Sequence, residues 1–502
     1  MCIYTFNQVH QEKFQLNHQL DFSTLKGPSM GEQASTLQKN LYVDSVPTRE
    51  RPDRTLTEDL LEGPILPLLI RLASPNVLAF FIQSTVSIAE VWYVGHLGTL
   101  SLASLALVFP LLMLMQMLSG GALGGAVASS VARSIGSGHI DRAQTLVWHA
   151  LVLALAGAGL CSALYFLFGQ SFLKLLGGRG EILIGAQAYA VVLFSGCVLI
   201  WTTNILASIY RGMGDMKSPS AALVLGVFIQ IPLSGALILG WGPFPRLGVP
   251  GAAVSAVCSA AIMTSVLLWP LIFRNLAVNI RLSGLHLKKD LFRDILRVGL
   301  PASVSPLLSV LTIVCITSLV SRFGPAALAG YGIGARLEFL LIPLIFGIGA
   351  ALTAMVGVNM GAGKLNRALR IGWTGAAAAG LLAGGIGLVV AVRPEWWVGL
   401  YTADPEVVAS GSLYLRVVGG MYVFQGVGLS LYFASQGAGT VFWPVAAGVL
   451  RVIVAVGGAM VAVLMLDMGL KTLLFLTAAG MLIFGSVTAL SILCGAWGKL
   501  RS

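Results

Sequence analysis

Charged residues are scarce in this sequence. Asp, Glu, Lys and Arg together make up 10% of the 502 residues, whereas 57% are hydrophobic. A soluble domain carries about 25% charged residues, so this chain has too little polar surface to face water on all sides. The scarcity excludes an ordinary soluble globular protein and favours a lipid bilayer as the solvent.

The sequence also lacks the patterns that carry most enzyme chemistry. Its six histidines are scattered, no His/Asp/Glu group has metal-ligand spacing, and no nucleophile lies beside a plausible base. It contains no G-x-x-x-x-G-K-[ST] phosphate loop. Its six cysteines, five of them in apolar stretches, are expected to be buried free thiols. We therefore predict no enzyme activity, no metal and no cofactor; a membrane-embedded transferase is the unfavoured alternative.

Long apolar stretches recur after about residue 64. A membrane-spanning helix needs about 20 apolar residues, and the abundant Gly and Ala suit helices that pack closely in lipid. We predict an all-α polytopic membrane protein with twelve spans: 66–94, 100–126, 143–169, 181–205, 219–241, 248–273, 297–321, 326–356, 366–392, 405–433, 441–466 and 469–497.

Basic residues concentrate on one side of the predicted spans. Most of the 31 Lys and Arg residues fall in the N-terminal segment and in every second connection. By the positive-inside rule, both termini are expected in the cytoplasm and the protein in the inner (plasma) membrane. The net charge of +11 thus reflects membrane topology, with lipid as a partner and no nucleic acid.

The polar segments divide the chain. We predict a disordered cytoplasmic tail over 1–62, for which Met30 is an alternative start, and a cytoplasmic C-terminus over 498–502. Between them lie a first lobe over 63–273, a charged linker over 274–296 and a second lobe over 297–497.

The two predicted lobes repeat one another. A shift of 226 residues places Arg71-Leu-Ala-Ser-Pro75 on Arg297-Val-Gly-Leu-Pro301. After the second span the shift is 225, which places Gly136-Ser-Gly138 on Gly361-Ala-Gly363. Because each repeat has six spans, both copies run in the same direction across the membrane. The pattern predicts two pseudo-symmetric six-helix bundles around a central cavity, an architecture typical of secondary transporters.

These repeated motifs resemble those of the multidrug and toxic compound extrusion (MATE) transporters. The resemblance covers residues 64–497 and rests on an ordered set of motifs: Glu90-Val-Trp-Tyr-Val-Gly95-His-Leu-Gly98, Gly136-Ser-Gly138, Gly212-Met-Gly214-Asp215-Met-Lys217-Ser-Pro219, Gly248-Val-Pro-Gly251 and Gly357-Val-Asn359-Met-Gly361-Ala-Gly363. It implies a two-lobed, monomeric exporter of bacterial type that exchanges inward H⁺ or Na⁺ for outward organic compounds, usually cationic and amphipathic. A lipid-linked precursor flippase of the same superfamily is the alternative.

Glu90 is the leading candidate for ion coupling. Gln83, Ser87 and Glu90 are spaced i, i+4, i+7, on one face of the first span, and a carboxylate within a span is costly. A solvated glutamate at the membrane interface is the alternative. The resemblance implies that Gln230 and Ser234 stand where one bacterial branch has Asn and Asp. With the second carboxylate missing, the pattern favours H⁺ over Na⁺, which prefers several oxygen ligands.

Other polar residues within the spans are candidates for the substrate cavity. Glu338 is predicted either to face the cavity or to pair with Arg451 of the eleventh span. Arg336, two residues away, points to a different side of the helix and is not expected to contact Glu338. The remaining candidates are Asn204, Ser234, Tyr331 and Gln425. For Asn204 the alternative is an interhelical hydrogen bond, and for Tyr331 it is anchoring at the membrane interface.

Overall fold

The computed structural model describes residues 56–274, 278–279 and 287–498. The first bundle contains α2 (Ile65–Gly95), α3 (Thr99–Gly136), α4 (Ile140–Leu175), α5 (Gly180–Ser195), α6 (Cys197–Gly212), α7 (Lys217–Leu239) and α8 (Val249–Phe273), preceded by the short α1 (Leu56–Glu62). The second contains α9 (Lys289–Phe323), α10 (Pro325–Gly361), α11 (Leu365–Val392), α12 (Glu395–Val398), α13 (Pro405–Ala438), α14 (Phe442–Met465) and α15 (Leu470–Leu493).

The predicted all-α membrane fold is confirmed. Within the described ranges, eleven helices are long and apolar enough to cross a membrane, and α5 with α6, bent by 53°, provides a twelfth span. Large apolar side chains cover the outer faces of these helices, as on α4, where Leu160, Leu167 and Phe168 are more than half exposed. Such a surface suits lipid rather than water.

Several predicted boundaries are wrong at their polar ends. Helix α9 begins at Lys289, not at residue 297, so part of the predicted linker is helical. Helix α3 extends to Gly136 instead of ending at residue 126. Both extensions are more polar than the apolar runs, because they carry Asp290, Arg293 and Arg133. Hydropathy detects the apolar part of a helix, whereas backbone hydrogen bonding continues beyond it.

The prediction of a disordered segment over 1–62 is wrong for its last residues. Residues 56–62 form α1, and the side chain of Leu60 is fully buried. The Nδ2 atom of Asn359 in α10 donates a hydrogen bond of 3.0 Å to the Leu60 carbonyl. Lys364 and Arg367 of the second bundle also donate to carbonyls at the end of α1 and just after it. Residues 1–55 lie outside the described residues.

The free cysteines are less buried than predicted. Cys197 is buried, and Cys161 and Cys315 are partly buried, but Cys258 and Cys494 are exposed on the helix surface. Cys2 lies outside the described residues.

The connections between helices lie at two ends of the molecule. We call the end that carries residues 62–64, 137–139, 213–216, 287–288, 362–364 and 439–441 the linker end, because the connection between the two bundles starts and finishes there. The opposite end carries residues 96–98, 176–179, 240–248, 393–404 and 466–469.

The two bundles contact each other closely where α3 and α10 cross at the linker end. A Cβ atom on Gly136 would overlap the Val358 carbonyl of α10, and one on Gly361 would overlap the Arg133 carbonyl of α3. Both residue pairs are related by the 225-residue shift, so the crossing has approximate two-fold symmetry. Only glycine allows backbones to approach this closely.

Ion pairs reinforce the contact at the linker end. Asp294 of α9 accepts from Arg133 Nη2 at 2.9 Å and from Arg142 Nη2 at 3.0 Å. His149, fully buried in α4, accepts a hydrogen bond of 2.8 Å from the backbone N–H of Lys288. The first bundle is therefore joined to α9 and to the residue before it, and the linker end is closed.

Both crossing helices are irregular near their middle. Residues Met117–Leu123 of α3 form a π-helical turn, and α10 contains Pro343. Proline removes a backbone hydrogen bond, and π turns widen a helix locally and are frequent at functional sites. Met117 and Pro343 both line the cavity described below.

Gly361→Val tests the glycine crossing. The added side chain overlaps the Arg133 carbonyl, so we expect α3 and α10 to separate and the linker end to open in a larger fraction of molecules. The measurement is maleimide labelling of a Ser134→Cys reporter in a chain without its own cysteines, and we expect a severalfold faster reaction.

Gly385→Val in α11 is the matched control, because nothing lies within 4 Å of its added Cβ. Equal labelling rates in the two variants would show that the crossing does not hold this end closed.

Candidate functional site

Glu90 is buried and hydrogen-bonded to Gln230, another candidate residue. Only 8% of Glu90 in α2 is exposed, and its Oε1 accepts a hydrogen bond of 3.0 Å from Gln230 Nε2 in α7. Two of the candidate coupling residues are therefore in contact. Glu90 is not a solvated glutamate in this structure, because burial removes it from bulk water and Gln230 provides the hydrogen bond.

The other residues proposed around Glu90 differ in their placement. Gln83 is partly buried and Ser87 is exposed, so the predicted polar stripe on α2 does not close around the carboxylate. Ser234 lies one turn beyond Gln230 and is fully buried, and its hydroxyl has no hydrogen-bond partner among the described residues.

A cavity of about 240 Å³ lies mainly within the first bundle and is bordered on one side by α10 of the second. Its walls are mainly apolar and come from α2, α3, α6, α7, α8 and α10, including Phe80, Met263 and Phe346. The rings of Phe80 and Phe346 meet edge to face with centroids 5.0 Å apart, so the two bundles share this wall. An apolar cavity with few polar groups is the usual form of a small-molecule site.

Asn204, one of the predicted cavity residues, lines this cavity. Its Nδ2 donates to Gln116 Oε1 at 2.9 Å and to Ser119 Oγ at 2.7 Å. The interhelical hydrogen bonds expected as an alternative are thus present together with the cavity position. These bonds hold α6 against α3 beside the π turn.

Arg211 also lines the cavity and was not among the predicted site residues. The predicted span over 181–205 leaves Arg211 in a connection, whereas the structure places it in the last turn of α6, 8% exposed. The pattern that marks it is the spacing of Asn204, Ser208 and Arg211 at i, i+4, i+7, which places them on one helix face.

A second polar cluster lies inside the second bundle. The Oε2 atom of Glu338 in α10 accepts a hydrogen bond of 3.2 Å from the Tyr414 hydroxyl, and its Oε1 atom lies 3.7 Å from Arg451 Nη2. Arg451 Nη1 also donates to Gln425 Oε1 at 3.0 Å, and the ring of Tyr331 packs against Tyr414. The predicted Glu338–Arg451 pair is therefore present.

The Arg451 side of this cluster borders a smaller cavity of about 80 Å³. Gln425 and Arg451 line it together with hydroxyl groups of α9, from Ser305, Ser309 and Thr312. Glu338 is not among the lining residues, which favours its interpretation as the partner of Arg451.

Arg336 points away from this cluster. It is exposed, and its guanidinium carbon lies 5.2 Å from the centroid of the Tyr401 ring. Arg336 and Glu338 therefore have different partners, as their spacing predicts, and the structure does not place Arg336 in either cavity.

Comparison with known proteins gives the same pattern in both halves. The MatE family model matches residues 75–235 and again 301–461. The start points differ by 226 residues, which is the shift of the internal repeat.

Individual relatives and a solved structure also match most of the chain. An FAD transporter of Shewanella oneidensis is 27% identical over 62% of this chain and 68% of the relative. The probable multidrug resistance protein NorM of Thermotoga maritima is 26% identical over 75% of this chain and 81% of the relative. A multidrug resistance MATE family transporter of the MOP superfamily in an outward-facing conformation has a TM-score of 0.78 and 25% identity, over 87% of this chain and 97% of that structure.

Arg451→Met tests the structural role of the polar cluster. Glu338 and Arg451 are about one-fifth exposed, so removing the guanidinium leaves a largely buried carboxylate. We expect the folded state to lose about 1–3 kcal/mol, seen as a lower melting temperature in detergent. Replacing Glu338 by Met as well should restore much of the loss, because an apolar pair leaves no unpaired charge.

Arg416→Met is the control, since Arg416 forms an exposed pair with Glu395 at 2.8 Å. We expect it to cost less than about 1 kcal/mol. If Arg451→Met is no more harmful than this control, the pair does not stabilise the second bundle.

Proposed function

Because the chain belongs to the MatE family of multidrug efflux transporters, we propose that it exports small amphipathic organic compounds in exchange for protons. Transport proceeds by alternating access between the two bundles. The observation that carries the coupling proposal is the buried Glu90, hydrogen-bonded to Gln230.

The geometry around Glu90 supports a proton rather than a sodium ion. Na⁺ prefers several oxygen ligands, whereas the described residues give Glu90 one side-chain hydrogen-bond partner, Gln230. A proton needs one basic oxygen and no further ligands. Glu90 thus takes up a proton from one side of the membrane and releases it to the other.

The closed linker end supports a transport state that is closed toward the cytoplasm. By the positive-inside rule the linker end faces the cytoplasm, and we propose the same side for both termini, with the protein in the inner membrane. Asp294, Arg133 and Arg142 then close the cytoplasmic side. Opening toward the cytoplasm requires α3 and α10 to separate. Since one chain contains both bundles, we propose that the monomer is the transporting unit.

The walls of the larger cavity support an amphipathic substrate. Apolar side chains dominate them, and no carboxylate is among the described residues that line the cavity. The cationic substrate suggested by the resemblance therefore has no counter-charge there. The Shewanella relative is named as an FAD transporter, an example of an organic compound with acidic groups.

The flippase alternative is less well supported. A lipid-linked precursor carries phosphates and would require a strongly cationic cavity. Arg211 is the one charged side chain among the described lining residues, and the walls are otherwise suited to an apolar compound.

Glu90→Gln tests the coupling. The amide keeps the shape of the side chain and still accepts from Gln230, but it does not titrate near neutral pH. We expect export of fluorescent organic compounds from reconstituted vesicles, driven by an imposed pH gradient, to fall to the level of protein-free vesicles. Glu395→Gln, at the exposed ion pair of the opposite end, should leave export unchanged.

Two results would contradict the proposal. Undiminished pH-driven export by Glu90→Gln would remove Glu90 from the coupling mechanism. Export driven by a Na⁺ gradient, with no pH gradient present, would show that the coupling ion is sodium.

A further inference from the structure

Arg211 differs from the other arginines buried in the bundles. Arg133 pairs with Asp294 and Arg451 with Glu338. No described carboxylate pairs with Arg211, and its buried Nε makes no hydrogen bond. Among the described residues, the Phe80 ring lies against the guanidinium, with its centroid 5.5 Å from the guanidinium carbon.

An aromatic ring satisfies only part of a guanidinium. It attracts the positive charge through its face, but it offers no acceptor to the five N–H donors of the group. Burial of an unpaired charge is costly, and buried charges are normally paired. The N–H donors of the Arg211 guanidinium are therefore not all satisfied in this structure.

Arg211 borders two adjoining spaces. With Asn204 it lines the larger cavity of about 240 Å³. With Ser208, on the same face of α6, it lines a narrow extension of about 20 Å³ toward the linker end. Gln436 of the second bundle also borders the extension, and its buried Oε1 has no hydrogen-bond partner among the described residues.

The internal repeat places Gln436 at the position equivalent to Arg211, on the 225-residue shift. Gln436 Nε2 donates to the Gly121 carbonyl at 3.0 Å and is thereby tied to the first bundle. The positive charge therefore occurs on one side of the cavity only, and it is not required by the packing that the two halves share.

Resting on the proposed function, we propose that Arg211 binds an acidic group, a carboxylate or a phosphate, of the transported compound. The planar guanidinium can donate two parallel hydrogen bonds to two oxygens of a carboxylate or of a phosphate. Phe80, Met263 and Phe346 contact the apolar part next to that group. The cavity is smaller than the 300–1,000 Å³ typical of whole drug-sized ligands, so it holds the acidic end of a larger molecule.

Two matched pairs of fluorescent probes test this inference. One pair is a rhodamine dye as its free carboxylic acid and as its ethyl ester; the other is flavin mononucleotide and riboflavin, which differ by a phosphate. Binding is measured from the melting temperature of the purified full-length protein in detergent at increasing probe concentration. Export is measured in reconstituted vesicles with a pH gradient.

The variants are Arg211→Met, which keeps an unbranched apolar side chain, and Arg416→Met, which removes an exposed arginine far from the cavity. For the wild type we expect tighter binding of the acidic member of at least one pair. Arg211→Met should raise the half-saturating concentration of that acidic probe by about tenfold or more. The half-saturating concentrations of the ester and of riboflavin should stay unchanged. Arg416→Met should bind like the wild type. The pair that responds distinguishes a carboxylate from a phosphate.

The inference is overturned if the wild type binds the acidic and the non-acidic member of each pair equally, or if Arg211→Met weakens both members of a pair to the same extent. A result in which no probe is exported, while Arg211→Met still selectively loses the acidic probe, would refute the proposed function and support the anion site.

Discussion

The approach of two backbones at Gly136 and Gly361 is the contact on which the rest of the structure depends. It brings α3 and α10 together at the linker end, so that Asp294 reaches Arg133 and Arg142 across the bundle boundary. It also fixes where the two helices diverge, and the larger cavity lies beyond that point. In lipid there is little hydrophobic drive between helices, so close packing of small residues carries much of such a contact.

Among the described residues, the charged side chains inside the bundles have partners, with Arg211 as the exception. Glu90 has Gln230, Arg133 has Asp294, and Arg451 has Glu338 and Gln425. These contacts satisfy groups that would otherwise be costly in a low-dielectric interior. Arg211 lacks such a partner and borders the cavity. The difference separates charges that complete the fold from one that is available to a ligand.

Sequence reasoning predicted the features that follow from apolar length and from repetition. The twelve spans and the two halves are present, because spans need a minimum apolar length and because the halves repeat one another. Glu90 and Gln230, both candidates, lie in contact. It missed helix α1, because the partners of Leu60 are far away in the sequence: Asn359 binds its carbonyl, and its side chain lies beside Gly214. It also assigned Arg211 to a connection, since one-dimensional hydropathy ends α6 too early. Contacts between distant segments decide both cases.

The π-helical turn at Met117–Leu123 lies in the part of α3 where the shift between the two halves of the chain changes. The repeat changes from a 226-residue to a 225-residue shift between Ala103 and Gly136, so α3 has one residue more than α10. A π turn accommodates one additional residue without breaking a helix. The insertion rotates the part of α3 that follows it relative to the part that precedes it. The two repeated bundles thereby present different side chains to the interior that they share. A duplicated scaffold can in this way carry a binding site in one half only.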